Sequence, residues 1–386
     1  MHRDDDGRTK SYHNAAAYTI WKPYGEAFGR VNVVGRVDMS RAQSHGEYVT
    51  GPAVGVVPVR FYYGLRRMLV SMPKVMSTVF SLGDRDSIFV GKLPEPISLL
   101  LYLRARKLKA TFIALVVSEP NQLYRALVPG LAGRLLAGVF SSIMRSCLRN
   151  SSAAIYVTQS WLQQLYPVRA GVPTMGYNNI DMDGLLVDRP RRHPSAQEHE
   201  FRLVSVGTME TSYKRFDQLL VVLSKLRRQG FSVALTLVGD GRERGGLEAR
   251  ASELGIREHV TFTGHMEHAD EVRSVLDEAD VFVMASAVEG LPRALIEAMA
   301  RALPAVSTRA GGVEELLDDD DLVDIGDVEA LTRRIARLLA DPHEYDRTST
   351  ENLSRLRDLA ELTTEARLIT FLKGVAGSRS SPGSKA

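Results

Sequence analysis

The chain reads as an α/β protein of two domains, each built on a parallel sheet. Short apolar runs of strand length, such as Phe201–Val206, Val233–Val238 and Val281–Met284, alternate with amphipathic stretches of helix length. That alternation predicts parallel strands joined by right-handed crossovers. A length of 386 residues suits two domains of ordinary size. Residues 187–200 have no periodicity and two prolines, so they read as the linker between a first domain at 1–186 and a second at 201–350. Residues 351–375 are expected to be helical, and the polar tail 376–386 disordered.

Bulk properties exclude several classes. Hydrophobic residues at 44% and charged residues at 25% give a globular balance rather than a disordered one. The single cysteine, Cys147, leaves no intramolecular disulfide and no multi-thiolate metal site, and it reads as a small buried apolar group. The polar start Met1–Arg8 has no apolar core of a signal peptide, and the apolar run Ile97–Leu103 is too short to span a bilayer. A cytoplasmic protein is therefore expected. Charge is uneven: 22 Lys and Arg face 12 Asp and Glu over residues 1–185, against 27 and 34 thereafter. A basic first half suits an anionic acceptor or membrane surface, or is simply a solvated basic face, so membrane association stays open.

In chain order, residues 1–20 begin inside what looks like a strand-end turn, Asp6 to His13. A first strand is missing, or the start lies further upstream, or the sheet begins elsewhere. Tyr18–Phe28 reads as a helix, Val31–Val37 as a strand, Gly51–Tyr63 as containing a strand, and Gly64–Phe80 as a helix broken at Pro73. Asp86–Val90 and Thr111–Val117 read as strands around a helix over Pro94–Leu108. Their strand-end turns carry Lys92, which could hold an anion, and Glu119, which could meet an acceptor hydroxyl; either could equally be a solvated turn residue. Leu131–Leu148 reads as a core helix or a membrane-surface helix, with the core favoured. Ile155–Thr158 and Trp161–Pro167 give one more strand–turn–helix step.

The second half turns on Ala285–Leu317. An apolar strand ends at Met284, a turn carries Glu289 and Gly290, and Pro292 opens a helix holding Glu297. Pro304 stops that helix, and Gly311-Gly312 makes a second tight turn after the next strand. Amides at a helix N-terminus favour an anion such as a diphosphate, and a carboxylate beside it suits ribose or hexose hydroxyls. Upstream, Lys214 follows the turn at Gly207 as a point charge for the same anion.

Glu289-x7-Glu297 with Ala-Met-Ala, Leu-Pro and Gly311-Gly312 resembles the donor-site signature of GT4-type retaining glycosyltransferases, glycosyl transferases group 1, of GT-B fold. The resemblance is strong over residues 201–340 and weak before them. It implies two Rossmann-like domains facing across a cleft, with a final helix crossing back to the first. It implies that Glu289 and Lys214 are catalytic, meeting the transferred sugar and the leaving diphosphate. Gly207, His265, Met266, Gly290, Leu291 and Glu297 would complete the donor site, His265 and Met266 at the nucleobase and Glu297 at the ribose. The substrate would be a nucleotide-diphosphate sugar, with a sugar, lipid-linked or small natural-product hydroxyl as acceptor, no cofactor and no nucleic acid. Three positions depart from the family pattern: Thr208 and Arg215 stand in the first turn, and Ala302 stands where a glycine is common.

Other readings compete. Gly239-Asp-Gly241 to Gly245 loosely matches a dinucleotide turn, but no acidic residue closes the following strand. A nucleotide-sugar epimerase and a non-catalytic sugar-nucleotide binder share the architecture. No metal site is expected: His259, His265 and His268 lack ligand spacing, the Asp84-x-Asp86 and Asp181-x-Asp183 pairs arise readily by chance, and Asp318–Asp321 reads as a solvated acidic turn.

Overall fold

The computed structural model describes residues 1–3, 8–11, 17–38, 46–62, 65–128, 130–180, 182, 184–194, 199–266 and 268–378. The chain divides into two compact units, residues 1–117, 142–179 and 362–386 in one and 118–141 and 180–361 in the other.

The elements run β1 (His2–Arg3), β2 (Thr9–Ser11), α1 (Tyr18–Phe28), β3 (Val31–Val37), β4 (Glu47–Tyr48), β5 (Val54–Arg60), α2 (Leu65–Phe80), β6 (Ile88–Leu93), α3 (Pro96–Leu108) and β7 (Thr111–Val116). They continue with α4 (Pro120–Leu127), α5 (Gly130–Arg149), β8 (Ala153–Tyr156), α6 (Trp161–Leu165) and β9 (Thr174–Gly176). In the first unit β3 and β5 form a parallel pair, β6-β7-β8-β9 a parallel sheet, and β1-β2-β4 a small antiparallel one. Val75, Val79, Leu101, Met144 and Cys147 cover one face of the β6–β9 sheet, and Tyr24 of α1 joins the core on the other.

The second unit is a doubly wound sheet. It contains β10 (Phe201–Val206), α7 (Phe216–Arg228), β11 (Val233–Val238), α8 (Arg244–Glu253), β12 (Val260–Gly264), α9 (Ala269–Glu278), β13 (Val281–Met284), α10 (Arg293–Ala300), β14 (Ala305–Thr308), β15 (Leu322–Val323), α11 (Val328–Ala340) and α12 (Pro342–Leu362). All strands are parallel in the order β12-β11-β10-β13-β14-β15. Strand alternation sends Leu203, Val281 and Val283 into the core under α7 and α11, and Val204, Phe282 and Met284 into the core under α10 and α12. Each fully buried side chain of this kind contributes about 1.5–3 kcal/mol.

Several sequence expectations need correction. α2 runs through Pro73 unbroken, because Met72, Val75 and Val79 seat it in the core and outweigh the roughly 3 kcal/mol proline cost. Lys92 lies inside β6 rather than on a turn after it. The helix expected over the last stretch breaks at Thr363: Thr364 caps α13 (Glu365–Gly377), its hydroxyl accepting the Arg367 N–H. α13 lies in the first unit, where Leu368, Leu372 and Val375 pack with Tyr24 and Ile155. The expected linker lies inside the second unit, where the Arg191 guanidinium donates to the carbonyls of Leu276, Ala279 and Arg301. Residues 379–386 of the expected tail lie outside the described residues, while Ala376 and Gly377 are helical.

Asp321 is fully buried rather than solvated. It accepts from the Arg334 Nε and Nη2, and the same guanidinium donates to Glu344 at 2.8 Å. That hydrogen bond from Arg334, reinforced by Arg347, holds the Glu344 carboxyl down at about 2 against an ordinary 4.5. A carboxyl with a depressed folded pKa stabilises above its unfolded value and loses that contribution as pH falls through the folded one. Between pH 4.5 and 2 the urea midpoint should therefore fall more steeply in the wild-type chain than in Glu344→Gln; parallel curves would refute the linkage.

Ala302 is not within a helix. Arg301 caps α10, and the Leu303 N–H returns to the Ala298 carbonyl while the Ala302 N–H returns to Met299, a Schellman closure. It forces Ala302 to φ +56, a left-handed conformation costing roughly 1–2 kcal/mol for a residue with a Cβ. Loss of its buried methyl would return about 0.8 kcal/mol. The difference between the two terms is a gain for Ala302→Gly of about 0.2–1.2 kcal/mol in unfolding stability, read from denaturant midpoints.

Candidate functional site

In the second unit the strand order reverses direction at β10, whose neighbours are β11 and β13. Loops from the carboxyl ends of adjacent strands part at such a point and leave a crevice. The loop after β10 runs from Gly207 through a 3-10 turn, Ser212–Lys214, to Arg215 at φ +53. The loop after β13 runs from Ala285 to Pro292, which caps α10.

One ion pair bridges the two loops. Lys214 Nζ lies 2.7 Å from Glu289 Oε1, with the side chains only 14% and 8% exposed. The Ala287 N–H donates to the Tyr213 carbonyl at 2.8 Å and ties the same loops through backbone. Gly207 leaves room for the lysine stem, since a Cβ there would come within 3.1 Å of Lys214 Cε. Gly311, at φ +63, lies against the Glu289 carbonyl so closely that a Cβ would reach 2.0 Å from its oxygen. Gly312 donates its N–H to the Gly290 carbonyl at 2.8 Å, and the Thr308 hydroxyl donates to the Ser286 carbonyl at 2.6 Å. The Glu289–Leu291 backbone is thereby held from behind by β14 and its turn.

The remaining expected residues fall as follows. Glu297 lies on α10, 18% exposed, with Oε1 2.7 Å from Arg293 Nε. Gly264, at φ +80, ends β12, followed by exposed His265 and by Met266 packed on the core. These two sit at the carboxyl edge two strands from β10. Arg215 is exposed at the start of α7, and the Thr208 hydroxyl accepts the Glu210 N–H. In the first unit Lys92 Nζ lies 3.6 Å from Glu95. Glu119 is buried and caps α4, accepting the N–H groups of Asn121 and Gln122 at 2.8 and 2.5 Å.

Gly239 and Gly241 serve packing. A Cβ on either would reach about 2 Å from the Gly207 or Met209 backbone, so they let the β11 loop lie on the β10 loop. Arg244 beside Gly264 is already matched by Asp240 and Glu248. Two features of the crevice were not read from sequence: the buried Ser286 Oγ and Thr211 Oγ1, neither with a hydrogen-bond partner. Nothing in the local pattern marks either one. Among the described residues no cluster of three His, Cys, Asp or Glu side chains forms a metal-sized group. Asp84 is used within its turn, accepting from Asp86 and Ser87, and Asp181 and Asp183 lie outside the described residues.

Residues 188–355 match the family model for glycosyl transferases group 1. Protein CapJ of Staphylococcus aureus is 21% identical over 345 residues, covering 88% of this chain and 85% of its own. The lipopolysaccharide core biosynthesis glycosyltransferase LpsE of Rhizobium meliloti is 37% identical over 131 residues, 33% of this chain and 36% of that protein. The chain thus spans most of the first relative and about a third of the second. Among solved structures, Anabaena HepE in complex with UDP-glucose superposes at TM-score 0.63 with 16% identity, covering 98% of both chains. The fold is GT-B.

Removing one partner of a buried pair strands the other charge, at about 3–5 kcal/mol. Lys214→Met should therefore destabilise the chain by about that amount, while the double variant K214M/E289L should lose markedly less. A double-mutant cycle on urea midpoints measures the coupling, and additive losses would remove the pair as a structural tie.

Proposed function

We propose that the chain, a glycosyltransferase with a group 1 domain over residues 188–355, is a GT4-type retaining enzyme. It moves a sugar from a nucleotide-diphosphate donor to a hydroxyl of a polysaccharide or lipid-linked intermediate. The observation that carries this reading is the Lys214–Glu289 pair at the point where the second sheet reverses. A sugar nucleotide brings a diphosphate and hydroxyls to one place, and this crevice offers a cation and a carboxylate 2.7 Å apart.

With donor bound, Lys214 neutralises the charge that grows on the leaving diphosphate, and Glu289 turns to the hydroxyls of the transferred sugar. The Gly290 and Leu291 amides and the positive end of α10 add fixed dipoles toward the same charge. Glu297, oriented by Arg293, accepts from the ribose. The His265–Met266 backbone meets the nucleobase. The departing phosphate oxygen accepts the acceptor's proton, so the mechanism needs no side-chain base, and the protein cation replaces a metal. HepE's complex with UDP-glucose and the lipopolysaccharide role of LpsE support this class of donor and acceptor.

In this reading Lys92 and Glu119 are assigned to the acceptor, Glu119 being held in place by the backbone N–H groups of Asn121 and Gln122. The exposed Leu131, Leu135 and Val139 of α5 beside Arg134 suit peripheral contact with an anionic membrane. α5 is also the one helix among the described residues long and apolar enough to cross a bilayer by length and composition.

Two variants separate the roles. A hydrogen bond to a charged group is worth about 1.5–3 kcal/mol, roughly 10- to 150-fold. Glu297→Ala should weaken donor binding by that factor in calorimetry, whereas Lys214→Ala should mainly slow transfer. Anomeric NMR of the product should show the donor's configuration kept, with turnover undiminished by EDTA; inversion would overturn the GT4 assignment.

A further inference from the structure

The first unit contains a cavity of about 790 Å³ whose walls have the form of a place in a sheet. One side is β3, contributing Val31 through Arg36 in unbroken succession, and another is β6, contributing Ile88, Phe89, Val90 and Lys92. Among the described residues β3 pairs only with β5 and β6 only with β7, so both strands turn a ladder edge away from their partners. Parity fixes which groups those are. Val31 N–H donates toward the β5 side, to Ala53, so Asn32, Val34 and Arg36 direct N–H and C=O to the opposite edge. Likewise Leu93 accepts from Val117 on the β7 side, leaving Ile88 and Val90 on the other. Apolar side chains close the cavity, Trp21, Tyr24 and Phe28 from α1, and Ile97 and Leu101 from α3.

Met1 is already in register at one end. Its N–H group donates to the Arg36 carbonyl at 3.2 Å and its carbonyl accepts the Asp38 N–H at 2.9 Å. A residue bonded to positions on either side of Val37 is one rung of a parallel ladder, and the next rung, His2 with Asp38, is parallel too. We propose that the cavity is the slot of one further parallel β-strand, and that its occupant is the stretch of this polypeptide leading into Met1. Six residues before Met1 would stand opposite Val31 to Arg36. With Met1 they make a strand of about 23 Å at roughly 3.3 Å per residue. Covered on both faces, it would be a nearly continuous apolar run.

Two further observations agree. The Met1 ammonium is half-buried, and burial pushes its pKa below the ordinary 8.0; as a peptide N–H it would carry no charge into that place. Trp21 Nε1 and Tyr24 Oη, both on the cavity wall, are buried without hydrogen-bond partners. A small-molecule occupant would account for the volume but not for the parallel rung at Met1.

The test begins with the mass of the protein isolated from its native source and the sequence of its N-terminal peptide. An N-terminus upstream of Met1 that carries an apolar run of six or more residues is expected; a native chain that starts at Met1 overturns the proposal. The chain with that extension should then be compared with the 386-residue chain by hydrogen exchange and thermal unfolding. The Val34, Arg36 and Val90 amides should exchange at least about tenfold more slowly, and Tm should rise by about 5 °C or more. Unchanged exchange at those three amides would also overturn it, because the extension would then lie outside the slot. Donor binding by the second unit is a separate readout, so failure here leaves the donor site standing.

Discussion

The second unit depends on a charge pair that a folding chain gains little by forming. Lys214 and Glu289 come from loops 75 positions apart, and both are largely removed from water. Desolvating two ions costs as much as their attraction returns, so hydrophobic packing could have held these loops at least as well. What the pair does supply is two opposite charges already ordered at a strand reversal, where a ligand with a phosphate and hydroxyls can take both. The same arrangement explains the glycines around it. Gly207, Gly239, Gly241 and Gly311 each stand where a methyl group would strike backbone or the lysine stem. The loops are stacked as closely as backbone permits, and position the two side chains with little slack.

Much of this unit was legible in the sequence because its signals are local. β10, β11 and β13 are short apolar runs ended by glycine or by a polar turn, and α10 is opened by Pro292 and stopped by Pro304. The candidate donor residues were proposed from the family resemblance, whose motif falls on strand ends and helix starts, positions a periodic pattern exposes. Their mutual contact was not legible. Nothing in the spacing says that Lys214 spends its charge on Glu289, or that Glu297 is held by Arg293.

The errors share a cause, which is that tertiary contacts decide against local preference. Pro73 is a helix breaker by propensity, yet α2 passes through it on the strength of its core contacts. Four consecutive aspartates look like a solvated turn, yet one of them is buried under a guanidinium that no local pattern brings there. Ala302 lies in the run between Pro292 and Pro304 that reads as one helix and is instead the left-handed residue that ends it. In the first unit the signals were weaker still, because its sheets are interrupted and its strands give no single continuous pattern.

The path of the chain between the two units bears on how such enzymes can exchange parts. α12 lies in the second unit and α13 in the first, where Leu368 and Leu372 are fully buried in the core. Residues 118–141 are likewise an excursion into the second unit from within the first. A single recombination event near residue 180 would carry away α13 and with it part of the first unit's own core. The second unit is therefore tied to the first by covalent interleaving, and can be traded whole only through paired junctions or altered in place, residue by residue.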